Sequence, residues 1–248
     1  MNAARIEKKL VAGIKSFFKK SGKTKAVLGL SGGIDSAVVL ALLVRALGKD
    51  NVTAILMPNT AITKQQNIID AENLATELGV SHFVIEIDDF LRTFAELPWA
   101  QNETAKANLN ARVRALILYN FSNSNNALVA GTGNKSELYM GYFTKYGDAA
   151  ADFFQIADLY KKDVRALARY MGVPEEFLAK APSAELWVGQ EDEKEMDMKY
   201  EVLDELLPII LKEKKGKIKT EHRKIAQRIS ETIKATEHKR NLPPILKI

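Results

Sequence analysis

The stretch Ala26-Val-Leu-Gly-Leu30 leads directly into Ser31-Gly-Gly-Ile-Asp-Ser36. An apolar run this short and this rich in branched side chains is typical of a strand buried on both faces. The two adjacent glycines let the backbone turn tightly, and the residues from Ser36 onward have the apolar spacing of a helix. A strand, a glycine-rich turn and a helix in this order predict the first unit of an α/β fold.

The same alternation continues along the chain. Further short apolar runs occur at Val52–Met57, His82–Ile87, Ala127–Ala130 and, as a weaker fifth run, Phe153–Ile156. Helical patterns lie between or after them, at Ser36–Leu47, Thr63–Leu78 with Thr63 as its cap, Asn102–Phe121, Leu159–Met171, Met198–Leu211 and Thr220–Lys234. Strands that alternate with helices are joined by right-handed crossovers. We therefore predict a doubly wound parallel sheet of about five strands flanked by helices, with a helical C-terminal part.

The composition excludes several classes of protein. With 248 residues, of which 46% are hydrophobic and 27% charged, the chain can bury a substantial core. We predict one domain over 1–248, with an N-terminal helix within 1–24, a lid loop at 183–197 and a helical part at 198–248. The absence of cysteine removes disulfides, thiolate metal sites and a cysteine nucleophile. No apolar run approaches the roughly 20 residues that span a bilayer, so we expect a cytoplasmic protein without membrane contact.

The turn at Ser31–Ser36 has the chemistry of a phosphate-binding loop. Ligands of open parallel sheets bind beyond the carboxyl ends of the strands, where this turn lies. Its glycines expose backbone N–H groups, Ser31 and Ser36 supply hydroxyl donors, and the following helix directs its positive N-terminus to the same place. Asp35 would repel phosphate unless a cation lay between them. The loop therefore predicts bound phosphate together with Mg²⁺, which prefers carboxylate and phosphate oxygens.

Several further segments, read together with this loop, resemble a known family. They are Asn110-Ala-Arg112-Val-Arg114, Gly131-Thr-Gly-Asn-Lys-Ser-Glu137, Gly141-Tyr-Phe-Thr-Lys145-Tyr-Gly-Asp148, Asp158-Leu-Tyr-Lys161, Pro182-Ser-Ala-Glu-Leu-Trp187-Val-Gly-Gln-Glu-Asp-Glu193 and His238-Lys239-Arg240. The loop resembles the PP-loop of the ATP pyrophosphatases, which adenylate a substrate and release pyrophosphate. The ordered set, from about residue 26 to residue 244, resembles the ammonia-dependent NAD⁺ synthetases within that superfamily.

The resemblance implies a two-step reaction. The carboxylate of nicotinic acid adenine dinucleotide (deamido-NAD⁺) attacks the α-phosphate of ATP, which gives an adenylate and pyrophosphate. Ammonia then displaces AMP to give NAD⁺. Adenylation of this kind needs cations and hydrogen-bond donors around the phosphates rather than a protein nucleophile. Because the chain has no cysteine for an amidase domain, free ammonia, or ammonia supplied by another protein, is the expected nitrogen source.

The resemblance also implies roles for individual residues. Asp35 and Glu137 would hold magnesium, and Asp35, Lys161 and Asp152 would be catalytic. The residues implied for ATP are Gly29, Leu30, Ser31, Gly32, Gly33, Ile34, Asp35, Ser36, Thr132, Lys161 and Ser183, and those implied for deamido-NAD⁺ are Arg112, Lys145, Asp152, His238 and Lys239. For Asp152, contact with the substrate and placement of ammonia both remain open.

Partners and alternatives follow from the same residues. The resemblance implies a homodimer, for which the apolar faces of helices Ala4–Phe18 and Asn102–Phe121 are candidate interfaces. We expect no nucleic acid partner. One alternative is another PP-loop adenylating enzyme that modifies tRNA, with the basic segment Lys212–Arg240 on RNA phosphates; the lack of cysteine argues against sulfur transfer. Another is a non-catalytic ATP-binding module, which would not need the charges of Asp35, Glu137 and Lys161.

Overall fold

A computed structural model describes residues 2–247. The strands are β1 (Lys25–Gly29), β2 (Val52–Leu56), β3 (Ser81–Val84), β4 (Ala127–Gly131) and β5 (Phe153–Phe154). The α-helices are α1 (Ala3–Ser21), α2 (Ile34–Leu47), α3 (Gln65–Glu77), α4 (Asp88–Ala95), α5 (Glu103–Asn125), α6 (Lys135–Met140), α7 (Lys161–Met171), α8 (Glu175–Ala179), α9 (Asp192–Glu195), α10 (Tyr200–Ile210), α11 (Arg223–Ala235) and α12 (Glu237–Arg240). Short 3₁₀ turns occupy Lys49–Asn51 and Thr220–His222.

The strands form one parallel sheet in the order β3-β2-β1-β4-β5. The register places Ala26 opposite Val52 of β2 and Leu128 of β4, so β1 lies in the centre of the sheet. The chain moves outward from β1 in one direction through β2 and β3, and in the other through β4 and β5. This change of direction opens a crevice at the carboxyl ends of β1 and β4. The predicted five-stranded, doubly wound sheet is confirmed.

Helices cover both faces of the sheet. Alternate residues of β1 point to opposite faces, since Ala26 and Leu28 belong to one buried cluster and Val27 to another. The first cluster packs α1, α2 and α7 against the sheet, and the second packs α5 against the other face. Helix α1 is held by Phe18, whose ring meets that of Phe153 edge-on at 5.3 Å between centroids. Its apolar face is therefore used inside the subunit.

The C-terminal part is helical, as predicted, and has an apolar cluster of its own. Helices α10 and α11 pack against each other and against α6. The cluster between them comprises Met140, Tyr160, Met198, Tyr200, Leu203, Leu206, Leu207, Ala226 and Ile229. Because α6 follows β4, these contacts bring the C-terminal helices beside the crevice. No helix among residues 2–247 is both long enough and apolar enough to cross a membrane.

Two local predictions were wrong. Thr63 does not cap α3, which begins at Gln65; its hydroxyl instead accepts a hydrogen bond from the Asn59 N–H at 3.1 Å, within the preceding loop. The segment 183–197 is not entirely loop, because α9 forms within it. Acidic residues such as Asp192 and Glu193 in the first turn of α9 favour a helix there through its dipole.

Candidate active site

The crevice holds a cavity of about 950 Å³. It lies where β1 and β4 end, between the loop Ser31–Ser36, helix α5 and the segment that begins at Pro182. The residues implied for ATP all line it, namely Gly29, Leu30, Ser31, Gly32, Gly33, Ile34, Asp35, Ser36, Thr132, Lys161 and Ser183. Asp35 and Glu137, implied for magnesium, line it as well. Residues that are far apart in the sequence thus meet at one end of the sheet.

The Ser31–Ser36 loop has the backbone that a phosphate-binding turn requires. Gly32 adopts φ +79°, and a Cβ atom at this position would lie 2.5 Å from the backbone oxygen of Asn67, so only glycine fits. The hydroxyl of Ser36 donates to the Gly33 carbonyl at 2.9 Å and closes the turn. Helix α2 begins within this loop, at Ile34. Its first N–H groups have no acceptor within the helix and therefore favour an anion in the adjoining cavity.

A buried ammonium group lies between two carboxylates next to this loop. The Nζ of Lys161 is 2.5 Å from Asp35 Oδ2 and 3.1 Å from Glu137 Oε1, and the lysine side chain is only 3% exposed. Asn134 completes the arrangement by donating from Nδ2 to Asp35 Oδ1 at 3.0 Å. Although burial alone would lower the pKa of Lys161, the two carboxylates raise it above its ordinary value. This lysine is therefore fully charged at neutral pH.

Local sequence signals place two of these side chains. Asn134 and Glu137 form a capping box at the start of α6, in which Asn134 Oδ1 accepts from the Glu137 N–H at 3.0 Å and Glu137 Oε2 accepts from the Asn134 N–H at 3.2 Å. Lys161 is the first residue of α7. Two helices thus begin beside the end of β1 and extend their first side chains toward Asp35. The capping-box pattern is the signal that would have identified Asn134 from the sequence.

Glu137 carries an unusual proton affinity. Burial raises its pKa to about 7, the Asp35 and Asp192 carboxylates contribute to the rise, and Lys161 opposes it. Lys161 does not cancel the rise in the pKa of Glu137, because its ammonium group lies closer to Asp35 than to Glu137. Burial also raises the pKa of Asp192. Lys161 therefore does not neutralise all of the carboxylate charge that is buried around it.

Asp192 and Tyr200 are site residues that the sequence did not reveal. Asp192 is 4% exposed and lines the cavity, and its Oδ2 accepts a hydrogen bond from the Tyr200 hydroxyl at 3.2 Å. The same hydroxyl lies 3.5 Å from Glu137 Oε1, and the Tyr200 ring lies beneath the Lys161 ammonium group. Asp192 stood among several acidic residues of the predicted lid, and nothing in the local pattern distinguished it from solvent-exposed neighbours.

Lys180 connects the phosphate-binding loop with the start of the 183–197 segment. Its Nζ donates to the Gly32 carbonyl at 3.1 Å and pairs with Asp70 of α3 at 2.6 Å. Further along, Asn67 of α3 donates from Nδ2 to Glu185 Oε1 at 2.5 Å. These contacts hold the first residues of the predicted lid against the cavity. A lone lysine two positions before a proline carried no sequence signal for this role.

The residues implied for deamido-NAD⁺ divide into two groups. Arg112 donates to the Lys145 carbonyl at 3.4 Å, Lys145 Nζ donates to the His238 carbonyl at 2.5 Å, and Lys239 Nζ donates to Gly141 and Phe143 carbonyls at 2.7 and 2.9 Å. Lys239 lines the cavity, and together with Lys145 it also lines a second depression of about 190 Å³. We call this group of Arg112, Lys145, His238 and Lys239 the basic rim; of the four, only Lys239 lines the cavity.

Asp152 lies apart from that rim. Its carboxylate accepts hydrogen bonds from the Val129 N–H at 2.7 Å and from the Tyr119 hydroxyl at 3.4 Å. It thereby connects β4 with the chain that leads into β5. Asp152 does not line the cavity of the subunit, and its role in the reaction stays a prediction.

Comparison with known proteins agrees with this geometry. Residues 6–243 match the NAD synthase family. A relative from Archaeoglobus fulgidus, named NH(3)-dependent NAD(+) synthetase, is 45% identical over 248 residues, which cover 100% of this chain and 98% of the relative.

Two solved structures are similar over 100% of both chains. One is an NMN synthetase from Francisella tularensis, with a TM-score of 0.89 and 34% identity. The other is an NH3-dependent NAD synthetase from Campylobacter jejuni in complex with the nitrate ion, with a TM-score of 0.82 and 33% identity. The residues that match the family include the phosphate-binding loop, the charged group of Asp35, Glu137 and Lys161, and the basic rim. Because the match covers nearly the whole sequence, the chain belongs to the NAD synthase family.

Proposed function

We propose that the chain catalyses the ATP-dependent amidation of deamido-NAD⁺ to NAD⁺ with free ammonia, releasing AMP and pyrophosphate. The observation that carries this proposal is the buried Lys161 ammonium group between Asp35 and Glu137, beside a loop built for phosphate. A cation held in place there stabilises negative charge as the bond between the α- and β-phosphates breaks. The family and the name of the A. fulgidus relative support ammonia as the nitrogen donor.

For ATP, we propose that the triphosphate binds on the Ser31–Ser36 loop and the N-terminus of α2. Lys161 would replace the lysine that other phosphate-binding loops carry within the loop itself. Thr132 and Ser183 line the same cavity from opposite sides and would contact the nucleotide. Binding ATP in this fixed geometry supplies much of the catalysis, since alignment of two substrates removes an entropic barrier.

For magnesium, the side chains fit an ion that is shared with phosphate. Asp35 and Glu137 both form ion pairs with the Lys161 ammonium group, which supports the proposal that the two carboxylates can share a cation. Among residues 2–247, no group of three or more histidine, aspartate or glutamate side chains is arranged to hold a metal ion by itself. Mg²⁺ typically takes one or two carboxylates and completes its shell with phosphate oxygens and water, as this site would allow. The ion would neutralise phosphate charge during adenylation.

For the second substrate, we propose that the basic rim of Arg112, Lys145, His238 and Lys239 binds deamido-NAD⁺. Burial lowers the pKa of Lys239, and the nearby Asp148 opposes that change. The rim is continuous through backbone carbonyls, so the cations keep a fixed spacing. Asp152 would complete this site by contacting the substrate or by placing ammonia.

At the level of assembly, we propose a single functional unit over 1–248 that forms a homodimer, in which 183–197 closes over ATP. Exposed apolar side chains occur on β3, on α4, in the loop that follows α4 and on α5, namely Phe83, Phe90, Trp99 and Leu116. A second copy of the chain would cover this surface. Helix α1 is not needed for it, because its apolar face packs internally. A cytoplasmic location stays a prediction.

Slower hydrogen exchange of 183–197 after ATP is added would support the closure of this segment over ATP, and unchanged exchange would contradict it.

The function is tested by incubating the purified protein with ATP, Mg²⁺, deamido-NAD⁺ and ammonium, and by measuring NAD⁺, AMP and pyrophosphate. We expect equal amounts of all three products, and none when glutamine replaces ammonium. Activity only with the acid form of NMN would instead assign the activity named for the F. tularensis structure. Asp35→Asn should bind ATP without releasing pyrophosphate. Wild-type binding of ATP without any turnover would favour a non-catalytic module, and salt-dependent binding of tRNA would favour the tRNA-modifying alternative.

A further inference from the structure

Helix α7, which carries Lys161 at its first position, is not capped by the residue that precedes it. The residue before it, Tyr160, makes no side-chain hydrogen bond to the helix. Its first two N–H groups are bound by side chains from two other helices instead. Ser136 Oγ of α6 accepts from the Lys161 N–H at 3.1 Å, and Asp204 Oδ2 of α10 accepts from the Lys162 N–H at 2.7 Å. The position of the first turn of α7 is therefore set by side chains of α6 and α10.

Ser136 and Asp204 also bind each other. The Ser136 hydroxyl donates to Asp204 Oδ1 at 2.5 Å, and both residues are 0% exposed. Lys162 adds a further link by donating from Nζ to the Asp204 carbonyl at 3.0 Å. Both oxygens of one buried carboxylate are thus used to hold two helices. Such a network is rigid, because each group would lose a buried hydrogen bond if it moved.

The two helices held in this way are those that present the charged side chains of the site. Ser136 immediately precedes Glu137 on α6, and Lys162 immediately follows Lys161 on α7. Neither Ser136 nor Asp204 lines the cavity, so neither contacts a substrate there. Their geometric effect is to set the separation between Glu137 and Lys161, which the structure places at 3.1 Å.

We infer that Asp204 and Ser136 are positioning residues for the adenylation step, which fix Lys161 and Glu137 against Asp35. This inference rests on the proposed function and adds a role for the C-terminal helices, since Asp204 belongs to α10. Asp204 itself does not line the cavity, so α10 sets the geometry of the site through a residue that does not touch the substrates. Catalysis by aligned charges is sensitive to displacements of about 1 Å, which can lower rates roughly a hundredfold.

The test compares three variants that each alter one buried side chain. Ser136→Ala removes the acceptor for the Lys161 N–H, and Asp204→Asn replaces one acceptor oxygen with a donor. The matched control is Ser122→Ala, which removes a serine hydroxyl that is 3% exposed and donates to the Ala127 carbonyl at 2.7 Å. That hydrogen bond lies at the start of β4, at the opposite end of the strand from the cavity. Urea unfolding of each variant identifies the proteins that are folded under assay conditions.

Steady-state kinetics then separate positioning from general stability. We expect Ser136→Ala and Asp204→Asn to lower kcat for pyrophosphate release by about 10- to 100-fold. The KM for ATP should change by less than about threefold, because the Ser31–Ser36 loop is intact. Ser122→Ala should keep kcat within about twofold of the wild type, although it loses a similar hydrogen bond.

If the wild-type protein is active, two results would overturn this inference and leave the proposed function intact. The first is a folded Ser136→Ala protein with unchanged kcat, which decides the matter even if Asp204→Asn does not fold. The second is an equal loss of kcat in Ser122→Ala, which would show a general effect of lost packing. A wild-type protein that forms no product overturns the proposed function, and this inference with it.

Discussion

Replacing Glu137 with glutamine should make the ligand-free protein more stable above neutral pH, although Glu137 is proposed to serve the reaction. Its side chain is 16% exposed, and burial raises its pKa from an ordinary 4.5 to about 7. The folded protein therefore holds this proton more tightly than the unfolded chain does. The stabilisation that results is complete below about pH 4.5 and is lost as the pH rises through 7.

The size of the effect follows from the two pKa values. Each tenfold change in proton affinity corresponds to about 1.36 kcal/mol, so a rise from 4.5 to about 7 corresponds to about 3 kcal/mol. Above pH 7 the wild type must keep a charged, incompletely neutralised carboxylate in the folded state. Glutamine has nearly the same shape and no charge, so Glu137→Gln should lack this pH-dependent loss.

The assay is urea unfolding of both proteins between pH 4 and pH 8.5, without nucleotide and with a chelator of divalent cations. The free energy of unfolding of the variant minus that of the wild type should increase by about 3 kcal/mol across this range. Other buried acids, such as Asp204, titrate in both proteins and largely cancel in the difference. Glu103→Gln is the control for loss of a carboxylate at the surface, since the Glu103 side chain is 84% exposed.

Two results would refute the reasoning. A difference that stays constant with pH would show that Glu137 does not hold a proton near neutrality. A difference that decreases as the pH rises would show that the attraction to Lys161 exceeds the effect of burial. Agreement would mean that the site is assembled at the expense of stability and requires an added cation to offset its charge.

Three further predictions concern other parts of the structure. Lys161→Met should abolish pyrophosphate release and lower the free energy of unfolding at pH 8 by about 3 kcal/mol, since it leaves two buried carboxylates without their cation; a fully active variant would exclude Lys161 from the reaction. Gly141→Ala should be far more destabilising than Gly22→Ala, because both glycines have φ near +65° but only at Gly141 would a Cβ atom collide with a neighbour, Thr236. Similar urea midpoints for the two would contradict the close packing of α6 against α11. Phe18→Ala should lower the free energy of unfolding by about 3–5 kcal/mol, measured with heat or urea, because the Phe18 side chain is 3% exposed and anchors α1. A loss below about 1 kcal/mol would indicate a loosely attached helix.

The parts of the fold that were predictable are those with a strong local pattern. The runs that became β1, β2 and β4 are apolar and branched because both faces of a central strand are buried, and that demand appears in consecutive residues. The outer strands were less certain at their ends. Strand β5 is only Phe153–Phe154, and β3 stops at Val84, because an edge strand has a partner on one side only.

The cap predicted at Thr63 failed for a related reason. A threonine before a helical pattern is a common cap, but its hydroxyl can equally well bind a neighbouring loop, and here the Asn59 N–H takes it. Likewise, the apolar face of α1 was a candidate dimer interface, and its partner proved to be α2 and α7 within the same subunit. A pattern in the sequence shows that the apolar face of a helix must be covered, but it does not identify the element that covers it.

The parallel sheet, the phosphate-binding turn at Ser31–Ser36 and, through resemblance, the residues around the cavity were predictable from the amino-acid sequence. The arrangement of the charges depends on how the chain packs. Asp35, Glu137 and Lys161 are separated by up to 126 positions and meet because parallel strands and their helices bring their ends to one edge. The roles of Asp192 and Asp204 depend on burial beside that edge. Burial is a property of the packed chain, so no local pattern distinguishes these two acids from those that remain in water.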